Sequence, residues 1–439
     1  MRTFFLLFII LLSPTLLRAS DVTLEGWQSA PVKVDVPAAT GLSALYVVRS
    51  VDGLRIVYTP NGSASSVSWS RYGNRGAAYA EEIPSSQISV EAGRSVLTAV
   101  SGDAGYVISD DTSTTYIWIS DYSAHPCTIR SLSIGQQDCS QTELIPDGSA
   151  PRMIYYDITG RNRDIDRGIE LSYSTLEPSA DKTQYVSKQI KTDLPYFETE
   201  TYVESPLCDT YFTLTGDRFL RAWGQPSETV SQLCQASAVG CFATATEHKT
   251  EADNQIKTSV IGLGGSAPVE IDFKASVSDA VVFTQWQFTS ANDPDFEDII
   301  YRNSDLELSY TFTEMGNYLV RFMAANAAGD CEAYSETFTV SVGESRLECP
   351  NAFSPIGSEG VNDIWKVSYK SIVKFDCYIF NRWGKKLYEF HDPSGGWDGK
   401  DGGKVVDPGV YYYVIKARGA DGKDYDLSGD INIIGYTGR

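Results

Sequence analysis

Histidine, serine and carboxylate side chains could do chemistry in this chain, but few of them are spaced for it. The three histidines, His125, His248 and His391, lie far apart. There is no H-E-x-x-H zinc motif, no G-x-S-x-G nucleophile elbow and no P-loop. These patterns predict no catalytic residue and therefore a non-enzymatic protein. A secreted hydrolase built on two carboxylates is an alternative, because such a pair leaves no sequence motif.

One acidic run is the best candidate for a metal site. Asp293, Asp295, Glu297 and Asp298 follow one another closely and could supply the hard oxygen ligands that Ca²⁺ prefers. The run lacks the glycine and the 12-residue spacing of an EF-hand loop. A weak calcium site and a solvated acidic loop are both compatible with this pattern, and no other cofactor is predicted.

Eight cysteines are present: Cys127, Cys139, Cys208, Cys234, Cys241, Cys331, Cys349 and Cys377. An even number in an exported chain favours disulfides, and nearness in sequence favours Cys127–Cys139. A second bridge is expected among Cys208, Cys234 and Cys241. Eight cysteines allow about 105 complete pairings, so connectivity stays open. Zinc is disfavoured because no C-x-x-C pair occurs and no histidine lies at ligand spacing.

The first twenty residues are typical of a secretory signal peptide. A basic start is followed by an apolar run of about 14 residues, too short to span a bilayer comfortably, and then by small residues. We expect cleavage after Ala19 or Ser20. No cysteine lies there to carry a lipid anchor, and no later run is apolar enough for a transmembrane segment.

Short alternating strands separated by turn pairs such as Asp52-Gly53 and Asn61-Gly62 dominate the rest of the chain. This pattern predicts an all-β fold of tandem immunoglobulin-like β-sandwich domains after the signal peptide. The expected units are a signal peptide over residues 1–20, a β-sandwich over 21–150 and a second, Ig-like β-sandwich over 151–262. Two further domains are expected over 263–344 and 345–439.

The unit at 263–344 resembles a PKD domain. The resemblance lies in the strand–Gly–strand pattern from Tyr310 to Val320 and in Gln285-Trp286-Gln287-Phe288, where the family has a buried tryptophan. The Gly-Asp-Gly turn of that family is absent. The resemblance implies an immunoglobulin-like sandwich.

Four separated motifs occur in order in the last ninety residues. The motif residues are Asn351, Phe353, Pro355, Gly360, Asn362, Asp363, Phe380, Asn381, Arg382, Trp383, Gly384, Trp397, Asp398, Gly399, Gly409 and Tyr411. This block resembles the gliding-motility-associated C-terminal domain, the type B sorting domain of the type IX secretion system of Bacteroidetes. The resemblance implies recognition by the outer-membrane translocon and export through the periplasm to the cell surface or the extracellular space. The loop from Ile356 to Glu359 departs from the family pattern.

Charge separates this block from the residues before it. From Cys349 to Arg439 there are 12 basic and 12 acidic residues, whereas residues 21–348 carry 22 basic and 45 acidic residues. So acidic a body argues against nucleic acid as a partner. The sequence therefore predicts an exported adhesive or structural binding protein with a protein or glycan ligand. An accessory or signalling component of the secretion and gliding machinery is the alternative.

Overall fold

The protein is an all-β chain of packed sheets. The computed structural model describes residues 21–249, 252–258, 260, 262–356, 360 and 362–434. Strands hold 53% of these described residues and helices 5%, which confirms the predicted fold class. Within the described ranges no helix is long and apolar enough to cross a membrane. The predicted signal peptide lies outside the described residues.

The first sandwich spans residues 21–125. Its elements are β1 (Asp21–Glu25), β2 (Val32–Val34), β3 (Ala44–Val48), β4 (Arg55–Thr59), β5 (Ser68–Tyr72), β6 (Glu81–Glu82), β7 (Ile88–Glu91), β8 (Arg94–Leu97), β9 (Ala104–Ser109) and β10 (Thr114–Asp121), with 3-10 turns at Ala38–Thr40, Ala64–Ser66, Ala77–Tyr79, Ser85–Gln87 and Tyr122–Ala124. The sheet β1-β4-β8-β7 packs on the sheet β2-β3-β10-β9-β5-β6. Alternating apolar residues such as Ile56 and Ile117 fill the space between the two sheets.

The second sandwich spans residues 126–239. Its elements are β11 (Thr128–Gln137), β12 (Gln141–Ser149), β13 (Met153–Tyr156), β14 (Asn162–Ile165), β15 (Ile169–Pro178), β16 (Tyr185–Leu194), β17 (Thr201–Glu204), β18 (Thr213–Thr215), α1 (Arg218–Ala222) and β19 (Glu228–Val230). The sheets are β11-β12-β17 and β16-β15-β18-β19, and β13 and β14 form a separate hairpin.

The sheet β11-β12-β17 runs across the boundary predicted between residues 150 and 151. The Pro146-Asp147-Gly148 run, whose residue types favour a turn, lies inside β12. Only Gln141–Leu144 of β12 pairs with β17, so Pro146 lies on the half of the strand that has a single partner. There the missing N–H of proline is tolerated. We therefore place the junction of the first two sandwiches near residue 126.

The third sandwich spans residues 240–343. Its strands are β20 (Cys241–His248), β21 (Leu263–Gly265), β22 (Val269–Val277), β23 (Val281–Ser290), β24 (Tyr301–Asn303), β25 (Glu307–Phe312), β26 (Gly316–Asn326), β27 (Glu332–Tyr334) and β28 (Phe338–Val342). The sheet β20-β22-β25 packs on β21-β28-β26-β23-β24, with β27 paired to β26. Trp286 is fully buried between them beside Phe273 and Phe322. This arrangement is consistent with the expected PKD-like domain.

The C-terminal domain spans residues 345–434. Its strands are β29 (Arg346–Glu348), β30 (Ala352–Phe353), β31 (Ser368–Lys370), β32 (Ile372–Phe380), β33 (Lys386–Phe390), β34 (Lys400–Asp401), β35 (Lys404–Val405), β36 (Gly409–Gly419) and β37 (Asp424–Ile433). Five strands form the main sheet β30-β37-β36-β32-β33. The pairs β29-β31 and β34-β35 complete the domain, and one apolar cluster forms its core.

A single disulfide joins two sandwiches, and it is not the predicted one. Cys139, in the β11–β12 turn, bonds Cys331 on the third sandwich, 192 residues later. The other six cysteines, including Cys127, are free thiols. The prediction of Cys127–Cys139 is therefore wrong, and no bridge forms among Cys208, Cys234 and Cys241. Nearness in sequence failed because β11 carries Cys139 away from Cys127, towards the next sandwich.

Candidate functional site

The motif residues of the C-terminal domain fall into three groups, of which the first builds the core. The indole of Trp397 is fully buried and lies between Phe353, at 5.4 Å, and Tyr411, also at 5.4 Å between ring centroids. Gly399 follows with φ +74°, and a side chain there would meet Pro355 at 2.9 Å. These residues come from three of the four motifs, so the fold gathers them into one aromatic cluster.

The sequence interpretation missed one member of this cluster. Trp365 is fully buried, and its backbone exchanges hydrogen bonds with that of Trp397, at 2.8 and 3.0 Å. Its indole Nε1 donates to the carbonyl of Pro350 at 2.7 Å, which fixes the chain just before β30. The alternation Trp365-Lys366-Val367 would have indicated a half-buried strand segment at this position.

The second group forms an exposed turn. Asn381 Oδ1 accepts hydrogen bonds from the N–H groups of Trp383 and Lys385, both at 3.0 Å, and Gly384 has φ +77°. This arrangement reverses the chain between β32 and β33. The Trp383 side chain is 75% exposed, with the Arg382 guanidinium 4.1 Å from its ring centroid. The Trp383 indole therefore presents most of its apolar surface to solvent.

One face of the main sheet is less covered than the sequence predicts. Apolar residues on both sides of β36 indicated a strand buried on both faces. Ile415 is fully buried, but Tyr412 and Val410 on the opposite face are each 45% exposed. Tyr412 pairs with Phe380, next to the exposed turn. Trp383, Tyr412 and Val410 therefore form an exposed apolar surface at one end of the domain.

The remaining motif residues hold loops. The Asn351 carbonyl accepts from the backbone N–H of Asn432 at 2.8 Å, and Asn362, with φ +57°, accepts on its carbonyl from Ser354 N–H at 2.9 Å. Gly360 N–H donates to the Asp363 carboxylate at 2.5 Å.

Two further motif residues, Asp398 and Gly409, lie later in the sequence, before and at the start of β36. Asp398 forms an ion pair with Lys400 at 2.7 Å, and Gly409 begins β36. Part of the divergent loop after Ile356 lies outside the described residues. Loop closure accounts for the observed contacts of all these residues.

The acidic loop of the third sandwich does not gather its carboxylates around a common point. Asp293 accepts hydrogen bonds from the hydroxyl of Thr289 and from the N–H groups of Glu297 and Asp298, at 2.7 to 3.1 Å. These bonds lower the pKa of Asp293 and occupy its oxygens. Across the described residues, no group of three or more His, Cys, Asp or Glu could hold a metal ion. The calcium hypothesis for Asp293, Asp295, Glu297 and Asp298 gains no support from this geometry.

The thiols and imidazoles are not arranged for catalysis. Burial raises the pKa of all six free thiols, Cys241 to about 11, so they stay protonated and weakly nucleophilic at neutral pH. Each histidine contacts an aspartate: His125 with Asp103, His248 with Asp272 and His391 with Asp376, at 2.9, 2.6 and 2.6 Å. Ser120 donates to Asp103 and Ser309 to Asp272, so these hydroxyls bind the carboxylate and not the imidazole.

Residues 347–433, which contain the aromatic cluster and the exposed turn, match the CHU_C Type IX secretion signal domain family. The C-terminal domain is therefore a type IX secretion signal domain, which implies recognition by the type IX secretion machinery. Such a domain indicates export of the chain to the cell surface or the extracellular space.

Residues 131–232, within the second sandwich, match a fibronectin type III domain family. Both matched families are non-catalytic kinds of domain. No curated protein matches the chain.

Solved structures with partial similarity are tandem modules. The chicken CNTN1 FN1–FN3 domains are 10% identical, cover 70% of this chain and 99% of their own, and have a TM-score of 0.24. A tetra-tandem repeat from the extending region of a large adhesion protein is 11% identical over 88% and 97%, with a TM-score of 0.22. Fibronectin(III)-like modules of Clostridium thermocellum CbhA are 13% identical over 43% and 94%, with a TM-score of 0.17.

Proposed function

We propose that the chain is a non-enzymatic surface or secreted protein whose three sandwiches act as an adhesive or structural binding unit. The signal domain is the observation that carries this proposal, because it accounts for export and leaves residues 21–343 as the exported body. Recognition of the signal domain is proposed to occur at the outer-membrane translocon. The ligand is proposed to be a protein or a glycan.

The way the sandwiches are joined supports a structural role. The first two share one apolar core, and the disulfide Cys139–Cys331 connects the second to the third. Near this bridge, Asn326 Nδ2 donates to the Ser237 carbonyl at 3.1 Å, and Tyr185 lies 5.1 Å from Phe242 between ring centroids. Several fixed junctions in series transmit force and hold a binding surface at a set distance from the cell.

Export is tested with four forms of the chain in a bacterium that has a type IX system. A chain ending at residue 344 should accumulate in the periplasm, whereas the full chain should be accessible to protease on intact cells or appear in the medium. Trp383→Ala should reduce export if the exposed turn contacts the machinery, while Tyr79→Ala, a similarly exposed aromatic change on the first sandwich, should not. Normal display of the truncated chain would refute the sorting role.

Binding is tested with the exported protein on glycan and protein arrays and by pull-down from envelope membranes. Retention of a glycan or host protein supports the adhesive role. Recovery of translocon or sensor proteins through residues 21–343 supports instead an accessory or signalling role in secretion or gliding. Turnover of glycan or peptide substrates by the purified chain would contradict both and favour the less expected hydrolase.

A further inference from the structure

A short segment of the third sandwich leaves it and binds the C-terminal domain. This strap, defined as residues 252–258, lies between β20 and β21. Ile256 N–H donates to the Tyr369 carbonyl at 2.8 Å, and Tyr369 N–H donates to the Asn254 carbonyl at 3.2 Å. Gln255 thereby pairs in parallel with Tyr369, in the middle of β31. The strap adds a third strand to the pair β29-β31 and covers an edge that would otherwise be open.

Side chains strengthen the same contact. Asn254 Nδ2 donates to two carbonyls of the C-terminal domain, those of Val367 and Pro393, each at 2.8 Å. Lys366 Nζ lies 2.8 and 2.9 Å from the two carboxylate oxygens of Asp253. Ala252 packs against the apolar core of the C-terminal domain. Extended peptides are recognised at sheet edges through this combination of main-chain pairing and side-chain anchors.

The strap is held less closely by its own sandwich. A cavity of about 750 Å³ is lined by Glu247, Lys249 and Val269 of the sandwich and by Gln255 and Ile256 of the strap. The hydrogen bonds of the strap described above go instead to the C-terminal domain: to β31, to Lys366 and Val367 just before it, and to Pro393. The segment therefore behaves as part of the C-terminal domain although it belongs in sequence to the domain before.

A second contact continues the interface directly after β31. Ser371, fully buried, donates its N–H to Ser266 Oγ at 2.7 Å and accepts on its own Oγ from Ala267 N–H at 3.3 Å. Ala420 N–H donates to the Ser371 carbonyl, and the Ala420 carbonyl accepts from Met315 N–H, both at 2.9 Å. Residues 253–256, 266 and 267 thus contact residues 366–371 of the C-terminal domain.

We propose that the strap is an intramolecular latch. It occupies a peptide-binding edge at residues 366–370 of the C-terminal domain and holds that domain on the third sandwich independently of the covalent connection at residues 343–345. A cut in that connection would then leave the signal domain attached. Removal of the signal domain from the exported protein would require release of the strap as well as proteolysis.

The test cuts the connection in the folded full chain. A site-specific protease sequence is inserted between Gly343 and the exposed Glu344, and the cleaved protein is followed by size-exclusion chromatography. The two fragments should elute together. Asn254→Asp keeps the side-chain size but replaces the donating amide by a carboxylate that faces two carbonyls, so the fragments should separate about tenfold faster, the effect of losing one to two hydrogen bonds.

Two further variants make the result decisive. Ile256→Pro removes the N–H that donates to Tyr369 and should act like Asn254→Asp, while Lys257→Ala, on an exposed side chain of the same strap, should behave as the unmodified chain. Hydrogen exchange in β26 and β36 reports whether each variant is still folded. Immediate separation of the unmodified fragments, or equal lifetimes for Asn254→Asp and Lys257→Ala, would overturn the latch.

Discussion

The junction of the first two sandwiches and that of the third sandwich with the C-terminal domain are built from different interactions. At the first, Trp118 lies 5.8 Å from Tyr156 between ring centroids, and both belong to a core that runs through both sandwiches. At the second, backbone and side-chain hydrogen bonds of the strap dominate, with apolar contact at Ala420, Val373 and Ala252. The first junction resembles a domain interior, and the second resembles an interface between partners.

A buried ion pair makes the first junction specific as well as apolar. Arg167 is 1% exposed and Asp217 fully buried, and the guanidinium holds the carboxylate at 2.6 and 2.9 Å. Arg167 also donates to the carbonyls of His125 and Pro151, and Tyr122 of the first sandwich donates to Asp217 at 3.1 Å. Burial, and then the Asp217 charge, raise the pKa of the Tyr122 phenol, which keeps it a donor.

The difference shows which parts of the molecule can separate. Opening the first junction would expose aromatic side chains and an ion pair to water. Opening the second would exchange protein hydrogen bonds for water hydrogen bonds, a change of small net free energy per bond. The exported body is therefore expected to stay whole, while the signal domain is expected to separate from it once the connection is cut and the strap is released.

The largest expected effect is at the first junction. Arg167→Ala leaves Asp217 buried without its partner and should lower the free energy of unfolding of the first two sandwiches by about 3–5 kcal/mol. Urea unfolding followed by tryptophan fluorescence measures this. Arg130→Ala removes one partner of the exposed pair Arg130–Asp147 and should change little. Equal effects of the two substitutions would contradict the comparison.

Loss of the disulfide between the second and third sandwiches should have the second-largest effect on stability. Cys139→Ser with Cys331→Ser removes a covalent link between residues 192 apart and should lower the free energy of unfolding by about 2–4 kcal/mol. Thermal unfolding with and without a thiol reductant measures the effect. The double variant itself should show no response to the reductant. A response there would mean that another thiol pair is oxidised.

The ion pair between Asp253 of the strap and Lys366 should have a smaller effect, on the rate at which the cleaved fragments separate, and only at low salt. Lys366→Ala removes the partner of the exposed Asp253, whose pKa is lowered chiefly by the hydrogen bond from Lys366. Separation of the cleaved fragments should be slightly faster than in the unmodified chain at low salt and equal to it at about 0.5 M salt, because salt screens exposed charges. A difference that persists at high salt would indicate that the Lys366 stem contributes by packing.

The smallest effect concerns pH. A hydrogen bond with Asp272 raises the pKa of His248, at the end of β20 just before the strap. The raised pKa means that protonated His248 favours the folded state. This contribution is complete below the unfolded value of about 6.5 and disappears as pH rises through the folded pKa.

Nuclear magnetic resonance titration of the His248 ring checks this directly. Asp272→Asn should bring its pKa down towards about 6.5. Glu270→Gln, which removes the weaker of the two neighbouring charges, should lower the pKa less. An unchanged pKa in Asp272→Asn would show that the pair does not form in solution.

The sequence predicted the fold class from local patterns, and the C-terminal domain from the resemblance of its motif residues to a known family. Alternation and turn pairs indicate strands, and the motif residues Phe353, Trp397 and Gly399 are gathered by the fold into one cluster. Residues that usually favour turns do not mark a turn where pairing with another strand holds them in an extended conformation, as at Pro146 and Gly148 of β12.

Contacts between residues far apart in the sequence could not be predicted from it. The partner of Cys139 lies 192 residues away, and the strap contacts β31 more than 100 residues later. Nothing in the residues of the strap distinguishes them from an ordinary polar loop. Their role depends on an open strand edge that exists only once the C-terminal domain has folded.

The sequence by itself determined that this chain is made of β-sandwich units, since strand periodicity and turn chemistry act between near neighbours, and its motif residues carried the resemblance to a secretion signal domain. The tertiary structure alone decided how the units are joined: by a shared core and a buried ion pair, by one disulfide, and by a strap on a strand edge. These contacts join residues far apart in sequence, and their free energy depends on burial and edge exposure, which arise only on folding.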